Sequence, residues 1–175
     1  MSLPVVRQLD SVSPRELAGL CNVLIDCVEG GASVNFMWPM TRAKAEHYWE
    51  AVAASLSRGE RAVVVAEDDR GRIMGTAQAV WADAENQPHR ADISKMLVSR
   101  NARRHGVGAL VLAAAERAAF AAGRTLLVLD TASPEAERMY ERGGWQRVGT
   151  VPKYALMPDG PFCHTVFFYK DLTTG

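Results

Sequence analysis

The sequence predicts an α/β (α+β) chain: a mixed central sheet of about seven strands with helices on both faces. Two observations predict it. The apolar pattern switches period in a definite order: a strand, two helices, a run of three strands, then helix, strand, helix and two closing strands. Within that order Leu126-Leu127-Val128-Leu129 is a continuous apolar run, as expected of a strand buried on both faces. The 175 residues are 48% hydrophobic and 23% charged, the balance of one ordinary globular domain over 1–175.

Val5 to Leu9 reads as a short opening strand. Ser13-Pro14-Arg15-Glu16 then forms a capping box with proline at the first helical position. Leu17, Leu20, Leu24 and Cys27 recur at helical spacing until Gly30-Gly31 ends the run. Residues 30–40 are uncharged and carry several large apolar side chains, so this loop either walls a ligand cleft or tucks onto the core. A second helix runs from about Thr41 to Ser57. Ala62 to Glu67 and Ile73 to Ala82 are a hairpin about Asp68-Asp69-Arg70-Gly71, and Gly75 marks a bulge or a close approach. Arg90 to Val98 is the third strand of the run. Gly106 to Ala122 is a helix closed by Gly123, and Pro134 to Arg142 a short helix capped by Ser133. Trp145 to Val151 and His164 to Lys170 are the closing strands.

Lys+Arg and Asp+Glu both number 20, so the formal net charge is zero. Nucleic-acid binding and polybasic membrane binding both need excess positive charge and are not expected. No run approaches the ~20 apolar residues of a membrane span. Residues Met1 to Arg7 lack the pattern of a secretory signal. Cys21, Cys27 and Cys163 form no CxxC pair; Cys21 and Cys27 are expected on different faces of their helix, as small buried hydrophobes. Reducing cytosol is the expected compartment. His47, His89, His105 and His164 lack metal-ligand spacing, so no metal is expected.

The most informative segment is Arg103-Arg104-His105-Gly106-Val107-Gly108, between the 90–98 strand and its helix. Two glycines let backbone approach a ligand, and N–H groups at a helix N-terminus attract an anion. Arg100, Arg103 and Arg104 add positive charge. A phosphate loop of the G-x-x-x-x-G-K-[ST] type is absent. A nicotinamide-dinucleotide site would need three glycines; only Asp130, about 20 residues on, fits that pattern. Arg103, Gly106 and Gly108 match [RQ]-x-x-G-x-[GA] instead, and Ala136, Met139, Tyr140, Gly144 and Trp145 match N-x-x-A-x-x-[LF]-Y-x-x-x-G-F. Both patterns belong to the GNAT acyltransferase superfamily, which the chain resembles. One departure is Ser133, where asparagine is usual.

The chain also resembles the tabtoxin-resistance acetyltransferases over nearly its whole length. This rests on Gly30-Gly31-Ala32-Ser33-Val34 with Phe36-Met37, Val65-Ala66-Glu67-Asp68-Asp69, Arg90-Ala91 with Lys95, and Leu129-Asp130-Thr131. It continues in Arg147-Val148-Gly149, Pro152, Tyr154, Pro158-Asp159-Gly160, Thr165 and Lys170. The resemblance implies acetyl transfer from acetyl-CoA to an amine of a small amino-acid-like molecule, a β-lactam toxin being one example. With no nucleic acid and no membrane expected from the charge balance, the remaining expected partner is a second copy, as a homodimer.

By the same resemblance, the 90–98 strand splays from the 126–129 strand and admits the pantetheine arm. Backbone of Met96, Leu97 and Val98 binds that arm and donates to the thioester carbonyl. Arg103, Arg104, His105, Gly106, Val107 and Gly108 hold the diphosphate, and Thr131, Ser133, Ala136 and Tyr140 also border the coenzyme. Ser33, Val34, Phe36 and Met37 border the acceptor with the carboxylates Asp92 and Asp130. A free Asp at pKa ~3.9 is a poor base, so burial or facing carboxylates would have to raise one, or both relay protons through water. Tyr140 is the candidate acid, at ~10 about 1.5 units above a thiol. Rival readings are a GNAT acting on a protein amine, a dinucleotide-binding protein and a non-catalytic coenzyme-A module. Coenzyme A is expected to raise the melting temperature and NAD to leave it unchanged; the reverse result in a thermal-shift assay contradicts the coenzyme-A reading.

Overall fold

In the computed structural model, which describes residues 3–174, seven strands form one sheet. Met1, Ser2 and Gly175, the ends of the domain expected over 1–175, lie outside the described residues. The elements in chain order are β1 (Val5–Gln8), α1 (Pro14–Glu29), α2 (Arg42–Ser57), β2 (Arg61–Glu67), β3 (Ile73–Trp81), β4 (Arg90–Val98), α3 (Val107–Ala121), β5 (Leu126–Thr131), α4 (Pro134–Arg142), β6 (Gln146–Leu156) and β7 (Phe162–Asp171). The sheet order is β1-β2-β3-β4-β5-β7-β6. Only β4 and β5 run parallel, joined through α3; every other neighbouring pair is antiparallel. A dinucleotide-binding fold needs a mostly parallel sheet, so that rival fails on topology.

The alternation of β2 builds two cores at once. Ala62, Val64 and Ala66 face α3, with Ala77, Ala79, Ala91, Ala115 and Ala119 in the same core. Val63 and Val65 face the other way, toward Leu20, Leu24, Val28 and Trp49 of α1 and α2. Burial on both faces explains why this strand reads as an unbroken apolar run. The small side chains on the α3 side let the helix seat close to the sheet. At Gly75 a Cβ would lie 2.8 Å from Val107 Cγ1 and 3.2 Å from the Leu97 carbonyl oxygen. Gly75 therefore marks a close approach, and a register shift lies beside it between Ala66 and Glu67.

The expected caps are present. Ser13 and Glu16 close a capping box, Thr41 accepts from Lys44 N–H, and Ser133 accepts from Ala136 N–H. Several boundaries differ from expectation. A single 3-10 turn, Arg100–Ala102, precedes the glycine loop. β6 runs past Pro152 to Leu156, because an edge strand tolerates proline and a bulge between Val151 and Ala155 absorbs the break. Cys21 and Cys27, expected on different faces, share one core, since α1 is buried by the sheet on one side and α2 on the other. Among the described residues, no helix is long and apolar enough to cross a membrane.

Gly75→Ala should destabilise the fold by about 1–3 kcal/mol, because buried Val107 and a strand carbonyl leave the methyl no room. A lowered urea midpoint at constant m-value checks this; an unchanged midpoint contradicts the close fit.

Candidate active site

The site begins where two strands part. β4 and β5 pair only at Arg90–Leu126, Ala91–Leu127 and Asp92–Val128. Beyond that point the β5-facing backbone groups of Ile93 to Val98 have no strand partner on that side. Unpaired backbone inside a sheet needs another partner, so the opening is built for an extended ligand with its own amide groups. The expected splay is present, with Met96, Leu97 and Val98 along its rim.

A bulge sits on the opposite edge of β4. Gln78 pairs with Ser94 and Thr76 with Leu97, so Lys95 and Met96 together oppose Ala77. Lys95 takes a left-handed backbone there, with φ of 50°. The bulge turns its side chain toward the loop between α1 and α2. Lys95 Nζ donates to Asn35 Oδ1 at 2.6 Å and lies 5.4 Å from the centre of the Tyr48 ring. Asn35 is left-handed as well, with φ of 76°. Burial lowers the Lys95 ammonium to about 8, a shift that the Asp130 charge opposes.

The glycine loop follows the open end of β4. Gly106, with φ of 76°, is the N-cap of α3, and no side chain caps the first turn. Those N–H groups and the dipole of α3 face an exposed surface carrying Arg104 and His105. Gly108 brings α3 against α4, where a Cβ would meet Met139 Sδ at 3.0 Å. Arg103 is exposed and donates from Nε to the Val98 carbonyl at 3.2 Å. Arg100 departs from expectation: Asp26 accepts from its backbone N–H at 2.7 Å and its Nε at 2.9 Å, so its charge is already paired. The glycines, free N–H groups and remaining cations fit a diphosphate.

The three expected catalytic side chains have unequal settings. Asp130 is exposed at the end of β5 and accepts from Thr165 Oγ1 at 2.6 Å. Asp92 accepts from Arg90 Nη1 at 2.8 Å. Asp130 is not buried, and Asp92 is paired with an arginine. Tyr140 is buried at 3% exposure between Trp145 and Phe168, with ring centres 5.9 and 5.7 Å away. Burial, and then the Asp130 charge, push its phenol well above the usual range. The gap to a thiol is therefore wider than the 1.5 units expected, and the phenol stays protonated as a hydrogen-bond donor. Glu116 holds this corner by accepting from Trp145 Nε1 at 2.8 Å and Lys170 Nζ at 2.7 Å.

The remaining residues divide. Thr131 Oγ1 accepts from Ser133 N–H, and Ala136 packs on the α3-side core. Part of the 30–40 loop tucks onto the core. Val34 and Phe36 pack against the α1–α2 core, and Phe36 meets Tyr48 edge-on at 5.4 Å. Met37 and Trp38 stay exposed. Ser33 Oγ donates to the Leu156 carbonyl at 3.1 Å, and Trp38 N–H to the Pro158 carbonyl at 3.0 Å, stitching the loop to the end of β6. Lys95, Asn35, Tyr48 and Thr165 lie alongside; Lys95 and Thr165 belonged to the resemblance without a role, and a lone asparagine in an apolar loop was the one signal for Asn35. A cavity of about 510 Å³ between α1, the β2–β3 turn and Ser99 contains none of these residues.

Comparison with known proteins agrees with this geometry. The model of the acetyltransferase (GNAT) family matches residues 26–145. An uncharacterized N-acetyltransferase from the hisH-hisA intergenic region of Azospirillum brasilense is 33% identical over 127 residues, covering 71% of this chain and 73% of that protein. A GNAT superfamily phosphinothricin acetyltransferase from Sinorhizobium meliloti, solved in complex with acetyl-CoA, has a TM-score of 0.81 at 20% identity, over 98% of this chain and 89% of its own. A ribosomal-protein-alanine N-acetyltransferase from Brucella melitensis has a TM-score of 0.78 at 22% identity, over 96% of this chain and 99% of its own. At these identities the two structures show a shared fold.

The half-buried Lys95 yields a stability prediction. Its folded value of about 8 lies below the ordinary 10.5, so the unfolded chain binds more protons between them and stability rises with pH across that window. Lys95→Met should therefore stabilise the free protein by about 1–2 kcal/mol at pH 7, with the gain gone above the ordinary lysine pKa. Urea midpoints at neutral and alkaline pH check the sign; a variant less stable than the parent at pH 7 contradicts it.

Proposed function

Because the chain belongs to the GNAT family of acetyltransferases, we propose that it moves the acetyl group of acetyl-CoA to the amine of a small amino-acid-like molecule, in a ternary complex without an acyl-enzyme. Acetyl-CoA-dependent N-acetyl transfer is the activity of the family; the acceptor and the residue roles are our assignment. The observation that carries it is the β4–β5 opening, with the uncapped α3 N-terminus at one end and Asp130 and Tyr140 at the other.

Acetyl-CoA supplies a thioester carbonyl and a thiolate leaving group; a C–N bond forms as the C–S bond breaks. The first turn of α3, with Arg103 and Arg104, holds the diphosphate. Backbone of Met96, Leu97 and Val98 holds the arm, and an N–H of this rim donates to the carbonyl as negative charge develops there. Asp130, oriented by Thr165, receives the acceptor ammonium and passes its proton to water. Asp92 and its partner Arg90 border the same relay. Tyr140 donates its hydroxyl hydrogen to the leaving sulfur and regains one from the second N–H proton that the nitrogen loses as the amide forms.

A small acceptor is supported by the 30–40 loop, which Ser33 and Trp38 fix against the end of β6. A fixed wall leaves less room for a polypeptide than a free loop does. The Sinorhizobium neighbour is named for a small amine and the Brucella neighbour for a protein one, so both acceptor classes occur on this fold. The resemblance to tabtoxin-resistance acetyltransferases puts tabtoxinine-β-lactam among the acceptors to try. The reading places the enzyme in the reducing cytosol, where acetyl-CoA is found.

Thiol release from acetyl-CoA, followed with small amines and with peptide amines, tests the acceptor class; release with peptides alone overturns the small-molecule assignment. Tyr140→Phe keeps the packed ring and should lower turnover roughly 100-fold or more while acetyl-CoA affinity changes little. Unchanged turnover removes the acid role.

A further inference from the structure

We propose that Lys95, aimed by Asn35, binds a carboxylate of the acceptor and makes the enzyme selective for amines that carry one. The proposal rests on the small-amine reading above and deepens it: Asp130 holds the positive end of the acceptor and Lys95 the negative end.

The backbone supplies the first reason. Lys95 stands at a bulge with a left-handed φ of 50°, and Asn35, its hydrogen-bond partner, is left-handed at 76°. Neither is glycine, the residue that adopts this conformation freely. Each costs on the order of 1 kcal/mol. Both positions thus keep a polar side chain where glycine would be easier, and the two side chains meet across 60 positions of sequence.

Charge supplies the second. An ammonium has three N–H donors. One goes to Asn35, and the face of Tyr48 attracts the cation at 5.4 Å. Among the described residues Lys95 forms no ion pair. Asp130 acts on it through space, while its own hydrogen bond comes from Thr165. A half-buried, underpaired cation lowers stability, and an incoming carboxylate reverses that cost.

Rigidity supplies the third. Gln78, fully buried, donates from Nε2 to Tyr48 Oη at 3.0 Å, and Arg61 Nη1 donates to Gln78 Oε1 at 2.8 Å. The ring beneath Lys95 is thereby fixed from inside the core, and Phe36 braces its edge. Arg61 adds a second positive charge behind the site, which further favours an anion. Asp130 and Lys95 then present opposite charges to one cleft, matching a zwitterion.

The test is thiol release with proteinogenic and β-lactam amino acids, each paired with its carboxamide. The wild type should prefer the acid of a productive pair by roughly 10- to 100-fold in kcat/KM. In Lys95→Met that ratio should fall toward one, through the KM of the acid, and Lys95→Arg should restore part of it. Retained thermal stabilisation by coenzyme A checks that each variant is folded. A wild type that uses acid and amide equally overturns the proposal without any variant, as does a ratio unchanged in Lys95→Met. Both results leave the small-amine reading intact; release with peptides alone overturns both.

Discussion

The parting of β4 from β5 after Asp92 and Val128 governs the rest of the site. Backbone amides inside a sheet are expensive to leave without partners, and water serves them poorly between two packed layers. The parallel pair is where separation is easiest, because each of its strands keeps an antiparallel neighbour outside. The gap can therefore open without dissolving the sheet. A ligand with amides of its own completes the interrupted ladder, which is why a pantetheine arm suits this gap better than a flat aromatic group does.

Much of this was legible along the chain. Capping boxes, the Gly71 turn and the apolar runs located the elements, because each signal acts over a few residues. The coenzyme motifs were legible for the same reason: Arg103 to Gly108 and Ser133 to Trp145 are each one loop and the start of one helix. The acceptor side was legible only in part: the resemblance singled out Asp130, while the meeting of Asn35, Tyr48, Lys95, Asp130 and Thr165, from five separate elements, arises only when the sheet forms. Arg100 was misjudged because its partner, Asp26, lies 74 positions away. The Arg90 partner of Asp92, two residues distant on the same strand, was not anticipated either. Strand ends were short at β6 because proline stops a central strand but not an outer one.

The two sides of the site also differ in how they are stabilised. The proposed coenzyme side uses glycines, free N–H groups and exposed cations, with one left-handed residue, Arg104 at φ 65°. The acceptor side holds a desolvated ammonium and two left-handed residues, which cost a good deal. Tyr140 belongs to neither extreme: its ring adds to the core, packed between Trp145 and Phe168.

The two stitches from Ser33 and Trp38 to the backbone of Leu156 and Pro158 tie the acceptor wall to a surface turn remote in sequence. Changes of length in that turn shift the wall without touching a residue that handles protons or thioester. Surface turns accept insertions readily. A lineage carrying this chain can therefore explore new acceptors by drift in the β6–β7 hairpin, while its chemistry stays under constant selection.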